Sequence, residues 1–140
     1  MSLIRSIFVL VFLFSTIGGA HASDDLKNFL LKFTDPTDYP YHLLDKSYRI
    51  LYKTGENYVS LDKYQLKELY SEQNKHLTNT VITDFRILGR NDSEAFTSVM
   101  YEFNWSARMG NTSMNGKILA HSILLKTKKG WSVVFDVANQ

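Results

Sequence analysis

Apolar residues near the start of the chain recur at helical spacing. Four of them stand at positions i, i+3, i+4 and i+7 and so share one face of a predicted helix: Leu26, Phe29, Leu30 and Phe33. Residues 34–40 hold both prolines of the chain, and the residue before a proline avoids helical backbone. We therefore expect the helix to end there, with a short apolar turn over residues 41–44.

A hairpin and a second helix follow in the hydrophobic pattern. Residues 48–53 are rich in strand-forming side chains, residues 54–57 form a turn signal, and Tyr58 and Val59 begin the return. A helix that starts at Tyr41 is the alternative for the first half of this segment. Residues 61–77 then place apolar side chains on one helical stripe, with Ser60 as the expected N-cap.

From residue 80 the apolar pattern changes to a period of two. Four strands are expected over residues 80–88, 94–108, 117–127 and 131–137, separated by polar or glycine-containing turns. Successive strands with short connections form an antiparallel meander. Helices that precede such a sheet predict an α+β fold with the helices packed on one face.

The last predicted strand sets an expectation about one carboxylate. Strict alternation places Trp131, Val133, Phe135 and Val137 on one side, facing the core. Asp136 then points away from that side. On this pattern it is excluded as an acid or base inside a pocket.

Composition narrows the class of protein. A chain of 140 residues with 44% hydrophobic residues corresponds to one folded domain, residues 23–140 after the leader described below. The net charge is only +2, and the sequence has no stripe of basic residues of the kind that binds nucleic acid. The absence of cysteine excludes disulfides and thiolate chemistry.

The first 22 residues have the three parts of a cleavable signal peptide. Arg5 gives the positive start, residues 7–17 are apolar, and Ala20 and Ala22 form a small-residue exit. The apolar run is shorter than the roughly 20 residues that a membrane-spanning helix needs. We expect cleavage after Ala22, export to the periplasm or the medium, and no stable membrane span in the mature chain.

The ordered set of elements resembles the nuclear transport factor 2-like superfamily, which includes ketosteroid isomerase and polyketide cyclases of the SnoaL type. The resemblance covers about residues 24–136 and rests on these segments: residues 58–64, 81–88, 95–105 and 128–135. It implies a cone-shaped half-barrel whose helices close one side around a pocket, and a dimer through the sheet. It does not fix an activity, because one fold can host unrelated functions.

The sequence offers few residues for catalysis. His121 lies mid-strand between Leu119 and Ile123; on an inward face its pKa would be lowered by burial, and it would serve as a base. The alternative is a hydrogen-bonded histidine on the solvent face. Asp45 and Asp84 are candidates by position alone, with solvated charges as the alternative. No phosphate-binding loop, nucleophile elbow or zinc spacing is present, so neither a cofactor nor a metal is expected.

Aromatic residues give the main indication of ligand binding. With His121, they form the predicted binding set: Tyr48, Tyr52, Tyr101, Phe103, Trp105, Trp131 and Phe135. Ligand pockets are mostly apolar, so these side chains suit a small hydrophobic molecule. The alternative is that they fill the cone as ordinary core.

Two functions remain open from the sequence. The first is an exported, non-enzymatic domain that binds a small apolar ligand or a protein partner, including a second copy through the outer sheet face. Apolar Phe96 and Met100 on the face opposite Tyr101 support such a covered sheet. The alternative is a small lyase or isomerase that acts in the cone with a tyrosine donor.

Overall fold

The computed structural model describes residues 20–139. Two 3-10 turns accompany the helices and strands, at Lys32–Thr34 and Tyr41–Leu43. The elements in chain order are α1 (Ala20–Leu31), β1 (Leu44–Thr54), β2 (Asn57–Asp62), α2 (Lys63–Asn74), β3 (Leu77–Asp92), β4 (Phe96–Met109), β5 (Thr112–Thr127) and β6 (Gly130–Asn139). Residues 1–19 of the predicted signal peptide lie outside the described residues. Among residues 20–139, no helix is long and apolar enough to cross a membrane.

The six strands form one curved, unclosed sheet in the order β2-β1-β6-β5-β4-β3. All neighbours pair antiparallel except β1 and β6, which run parallel. The hairpin β1–β2 therefore joins the meander through its last strand. The predicted α+β class and cone-shaped half-barrel are confirmed.

A bulge in β6 decides which side chains face inward. Ile123 pairs with Phe135, whereas Leu124 pairs with Val133, so Val134 is the extra residue. Alternation restarts after it and turns Asp136 toward the helices. The expectation that Asp136 points away from the core is therefore wrong, as is the inward placement of Phe135 and Val137.

Two local predictions also need correction. The N-cap of α2 is Asp62, not Ser60; its carboxylate accepts the backbone N–H groups of Tyr64 and Gln65, and the Gln65 side chain accepts the N–H of Asp62. Strand β3 continues to Asp92, through most of the predicted turn at residues 89–93. Both errors arise because a short polar segment permits several hydrogen-bond arrangements.

The core lies between the helices and the concave face of the sheet. Three residues of the predicted stripe, Leu26, Phe29 and Leu30, are buried there, and the Phe29 ring packs 5.5 Å from that of Trp131. Phe33, the fourth, lies in the 3-10 turn after α1 and is half-buried. Leu66 of α2 is fully buried as well. The outer face of the sheet is not covered in the same way: Phe96, Met100 and Leu119 remain 43%, 41% and 38% exposed.

Candidate functional site

A cavity of about 420 Å³ lies between the helices and the concave face of the sheet. Alternate residues of β4 run along its length, as the period of two predicts: Tyr101, Phe103, Trp105, Ala107 and Met109. The rest of the wall comes from the segment around Phe33–Tyr39, from α2 and from strands β1, β3, β5 and β6. Most of these side chains are apolar or aromatic.

The exposure of the lining residues distinguishes two ends of the cavity. His76, just after α2, and Met109, at the tip of the β4–β5 hairpin, are exposed and mark the mouth. Tyr39, Tyr101 and Asp136 are buried at the opposite end, each 8% exposed or less. The cavity is therefore open at the hairpin tip and closed at Asp136.

Asp136 is held at the closed end by two buried hydroxyl groups. The Tyr48 hydroxyl donates to Oδ2 at 2.7 Å, and the Ser122 hydroxyl donates to Oδ1 at 2.5 Å. The Tyr101 hydroxyl lies 3.4 Å from Ser122 Oγ. Strands β1, β4, β5 and β6 thus bring these four side chains together.

Burial governs the protonation of this cluster. It raises the pKa of the Asp136 carboxyl, and hydrogen bonds from Ser122 and Tyr48 offset part of the increase. Burial is also the main cause that raises the pKa values of Tyr39, Tyr48, Tyr70 and Tyr101, and the charge of Asp136 adds to it in each case. The four phenols therefore stay protonated and can act as hydrogen-bond donors.

The arrangement combines an apolar cavity with one carboxylate at its closed end. It can accept a hydrogen bond or a proton from a bound molecule. Within residues 20–139, no three His, Cys, Asp or Glu side chains cluster closely enough to ligate a metal ion.

The structure brings together only part of the predicted ligand-binding set. Tyr52, Tyr101, Phe103 and Trp105 line the cavity. Tyr48 lies behind its wall, where it contacts Asp136. Whether these side chains bind a ligand stays a prediction.

Trp131, another aromatic residue of the predicted ligand-binding set, does not line the cavity. Its indole Nε1 donates to Thr97 Oγ1 at 3.2 Å, and its ring packs on Phe29. Trp131 therefore packs against the hydrophobic core beside α1.

His121 and Phe135 lie on the outer face. His121 is exposed, and its Nε2 is 2.7 Å from Ser98 Oγ. The buried imidazole that the base hypothesis required is therefore absent at this position. Phe135 sits beside Ile123 and is not part of the cavity wall.

Neither Asp45 nor Asp84 lines the cavity. Asp45 accepts hydrogen bonds from the backbone N–H and hydroxyl of Ser47, and these bonds lower its pKa. Asp84 is exposed with a positive φ of 54°, and it accepts a hydrogen bond from Asn104 at 2.8 Å. It borders a shallow outer groove that also includes Glu102.

Sequence reasoning missed the centre of the site. Asp136 was excluded by strict alternation, although three consecutive apolar residues, 133–135, are compatible with a bulge. Tyr70 falls within the predicted helix over residues 61–77 and lines the cavity, but nothing in the sequence links it to Asp136. Tyr39 stands beside Pro40 in an irregular segment, where no periodicity predicts a direction.

Solved structures share this fold at low sequence identity. A ketosteroid isomerase-like protein from Erwinia carotovora atroseptica is 11% identical over 84% of this chain and 90% of that chain, with a TM-score of 0.59. A nuclear transport factor 2-like protein from Cytophaga hutchinsonii is 14% identical over 82% and 90%, with a TM-score of 0.56. Another from Rhodospirillum rubrum, described as of unknown function in nutrient uptake, is 15% identical over 86% and 98%, with a TM-score of 0.58.

No protein-family model matches the chain, and no curated protein matches its sequence. Identities of this size establish the fold alone. The chain therefore has the nuclear transport factor 2-like fold that its sequence predicted.

Proposed function

We propose that this protein binds a small, mainly apolar molecule in the cone, without chemical conversion. The observation that carries the proposal is the buried Asp136 carboxylate at the closed end of a mainly apolar and aromatic cavity. Pockets that bind small molecules have this composition, with a large apolar surface and a few polar groups that orient the ligand. A volume of about 420 Å³ lies within the usual range for such ligands.

The ligand's apolar body would lie along β4. The inward residues of that strand extend from Tyr101 at the closed end to Met109 at the mouth. A molecule that enters past Met109 reaches Asp136 only with its leading end. This geometry supports a ligand with one polar end and an apolar remainder.

A pair of neighbouring substitutions tests the cavity. Ala107→Leu adds apolar volume inside the cavity, because Ala107 lines it and is buried. Ser106→Leu adds the same side chain one residue earlier, on the exposed face of β4. With N-phenyl-1-naphthylamine as a fluorescent probe, we expect Ala107→Leu to weaken binding and Ser106→Leu to leave it unchanged. Equal effects of the two variants, or no binding to the unaltered protein, would contradict the proposal.

Proton transfer is the second candidate function, because the pKa of Asp136 is raised in an apolar cavity. A carboxylate with a pKa closer to neutrality is a better general base for a lyase or isomerase, and the Tyr101 hydroxyl nearby is a potential donor. In this enzymatic alternative, Asp136 and not His121 would be the general base. It needs a substrate with an acidic C–H bond placed beside the carboxylate.

Deuterium exchange separates the two candidates. Any small molecule that copurifies with the protein would be returned to it in D₂O and followed by mass spectrometry. Exchange that Asp136→Asn abolishes supports catalysis. Binding without exchange supports the non-enzymatic proposal.

A second copy of the chain is the proposed partner on the outer sheet face. Phe96, Met100 and Leu119 expose apolar surface there, and such patches favour association. Sedimentation of the purified protein tests it, with Met100→Lys expected to shift a dimer to monomer. The control is Val81→Lys on β3, away from these three residues.

Export of the chain also remains a proposal, supported by the signal-like residues 1–22. Cell fractionation with N-terminal sequencing of the purified protein tests it. The expected N-terminus is Ser23.

A further inference from the structure

We propose that the cavity selects ligands that carry a protonated amine, with the ammonium group beside Asp136 and the apolar body directed toward the mouth. This inference rests on the proposed binding function and specifies its ligand class. It is carried by the composition of the cavity wall and by the hydrogen bonds of the carboxylate.

The hydrogen bonds around Asp136 suit its ionised form. Each carboxylate oxygen accepts one bond from a hydroxyl group, Oδ2 from Tyr48 and Oδ1 from Ser122. An ionised carboxylate only accepts hydrogen bonds and offers about four lone-pair directions, so two remain for a ligand. A donor on the ligand therefore fits this end, whereas a second carboxylate does not.

The cavity supplies no positive charge of its own to this carboxylate. Of the described residues that line it, none is lysine or arginine. His76 lies at the mouth and is paired with Glu72 at 3.5 Å. A buried carboxylate without a counter-ion is costly, and a ligand ammonium group would provide the missing charge.

Aromatic rings around the closed end favour the same chemistry. Tyr39 and Tyr70 contact each other edge to face, with ring centroids 5.0 Å apart, and both line the cavity with Tyr101. The faces of such rings attract a cation that lies within about 6 Å. A neutral alcohol can only donate a hydrogen bond to Asp136, whereas an ammonium group also interacts through its charge with the carboxylate and with the ring faces.

Three probes of matched shape test the inference: 4-phenylbutylamine, 4-phenylbutan-1-ol and 4-phenylbutanoate. Each would displace N-phenyl-1-naphthylamine from the purified protein at pH 7. We expect the amine to bind roughly tenfold more tightly than the alcohol, because its positive charge adds an ion pair with the carboxylate and attraction to the ring faces. The carboxylate is expected to bind most weakly. In Asp136→Asn the amine's advantage is expected to disappear while the alcohol still binds.

A pH series keeps the test valid if Asp136→Asn does not fold. The series runs from pH 8 down to pH 3.5, because the pKa of Asp136 is raised above that of an ordinary aspartate. The amine stays protonated throughout, since alkylamines titrate near pH 10. Protonation of Asp136 should therefore weaken binding of the amine and leave binding of the alcohol unchanged.

Other groups near the closed end must be considered in that series. Tyr39, Tyr48, Tyr70 and Tyr101 stay protonated throughout, as their pKa values are raised. His76 lies at the mouth beside Glu72, and His121 lies on the opposite face of the sheet, where its charge lowers the pKa of Asp136. The loss of amine binding at low pH is expected to remain in His121→Gln.

The outcomes separate the inference from the function on which it rests. Equal binding of amine and alcohol, or preference for the carboxylate, overturns the amine inference and leaves the apolar cavity intact. Failure of the fluorescent probe itself to bind overturns the proposed function and the inference with it. An amine preference that survives in Asp136→Asn overturns the assignment to this carboxylate.

Discussion

Tyr48 and Asp136 are 88 residues apart in the chain, and their side chains share a hydrogen bond of 2.7 Å in the buried centre of the protein. Tyr48 belongs to β1 and Asp136 to β6, the two strands that pair in parallel. The bond therefore connects the N-terminal hairpin to the end of the meander. It also fixes the carboxylate at the closed end of the cavity.

Tyr48→Phe should destabilise the protein by about 1–3 kcal/mol, because it leaves a buried carboxylate oxygen without its donor. Urea unfolding at pH 7 measures the loss. The control is Tyr58→Phe, which removes an exposed hydroxyl bonded to Asn139 at 3.0 Å and should cost less than about 0.5 kcal/mol. Similar losses in both variants would show that burial of the Tyr48–Asp136 bond contributes nothing.

Asp136 should make a pH-dependent contribution to stability. Its folded-state pKa is raised, so the native state holds the proton more tightly than the unfolded chain does. The stabilisation is complete below the unfolded pKa of about 3.9 and is lost as pH rises through the folded pKa.

The measurement is the free energy of unfolding of the unaltered protein minus that of Asp136→Asn, across pH 3.5 to 8. Other carboxylates cancel in this difference. We expect it to fall as pH rises and then to level off. A difference that grows with pH would mean that the hydrogen bonds from Tyr48 and Ser122 outweigh burial.

Gly116→Ala should disturb the cavity wall through Trp105. A Cβ atom at Gly116 would lie 2.7 Å from the Trp105 indole Nε1, so the ring must move. That nitrogen is buried without a hydrogen-bond partner among the described residues. We expect a loss of about 1–3 kcal/mol and a shift in tryptophan fluorescence.

Gly89→Ala is the matched control, since a Cβ atom there meets nothing within 4 Å. Its stability should change by less than about 0.5 kcal/mol. If Gly116→Ala behaves in the same way, the indole has room to move and the site is less tightly packed than the structure indicates.

Lys117→Met should raise the pKa of Glu102 on the outer sheet face. The Lys117 ammonium lies 2.7 Å from Glu102 Oε2, and its hydrogen bond lowers the pKa of Glu102 more than any other contact does. The hydrogen bond from Arg86 is the next largest cause. An NMR titration of the Glu102 carboxyl measures the change. Lys128→Met, at the β5–β6 turn, removes the same charge elsewhere and should leave the titration unchanged.

Periodicity in the sequence was enough to predict the elements and one wall of the cavity. The stripe of α1 from Leu26 to Phe33 and the alternation of Tyr101, Phe103 and Trp105 depend on local backbone geometry alone. Side chains at a fixed spacing in a regular element share a face wherever that element packs. The order of these elements also predicted the α+β class. The cone was implied by the resemblance to the nuclear transport factor 2-like superfamily.

Tertiary structure alone decided the centre of the site. The bulge at Val134 reverses the direction of Asp136, and it lies in a strand that pairs with both β5 and β1. The neighbours of that carboxylate, Tyr39, Tyr48 and Tyr70, come from distant segments that only the folded chain brings together. Local pattern determined which residues form each strand and helix, whereas long-range pairing determined which carboxylate is buried and what surrounds it.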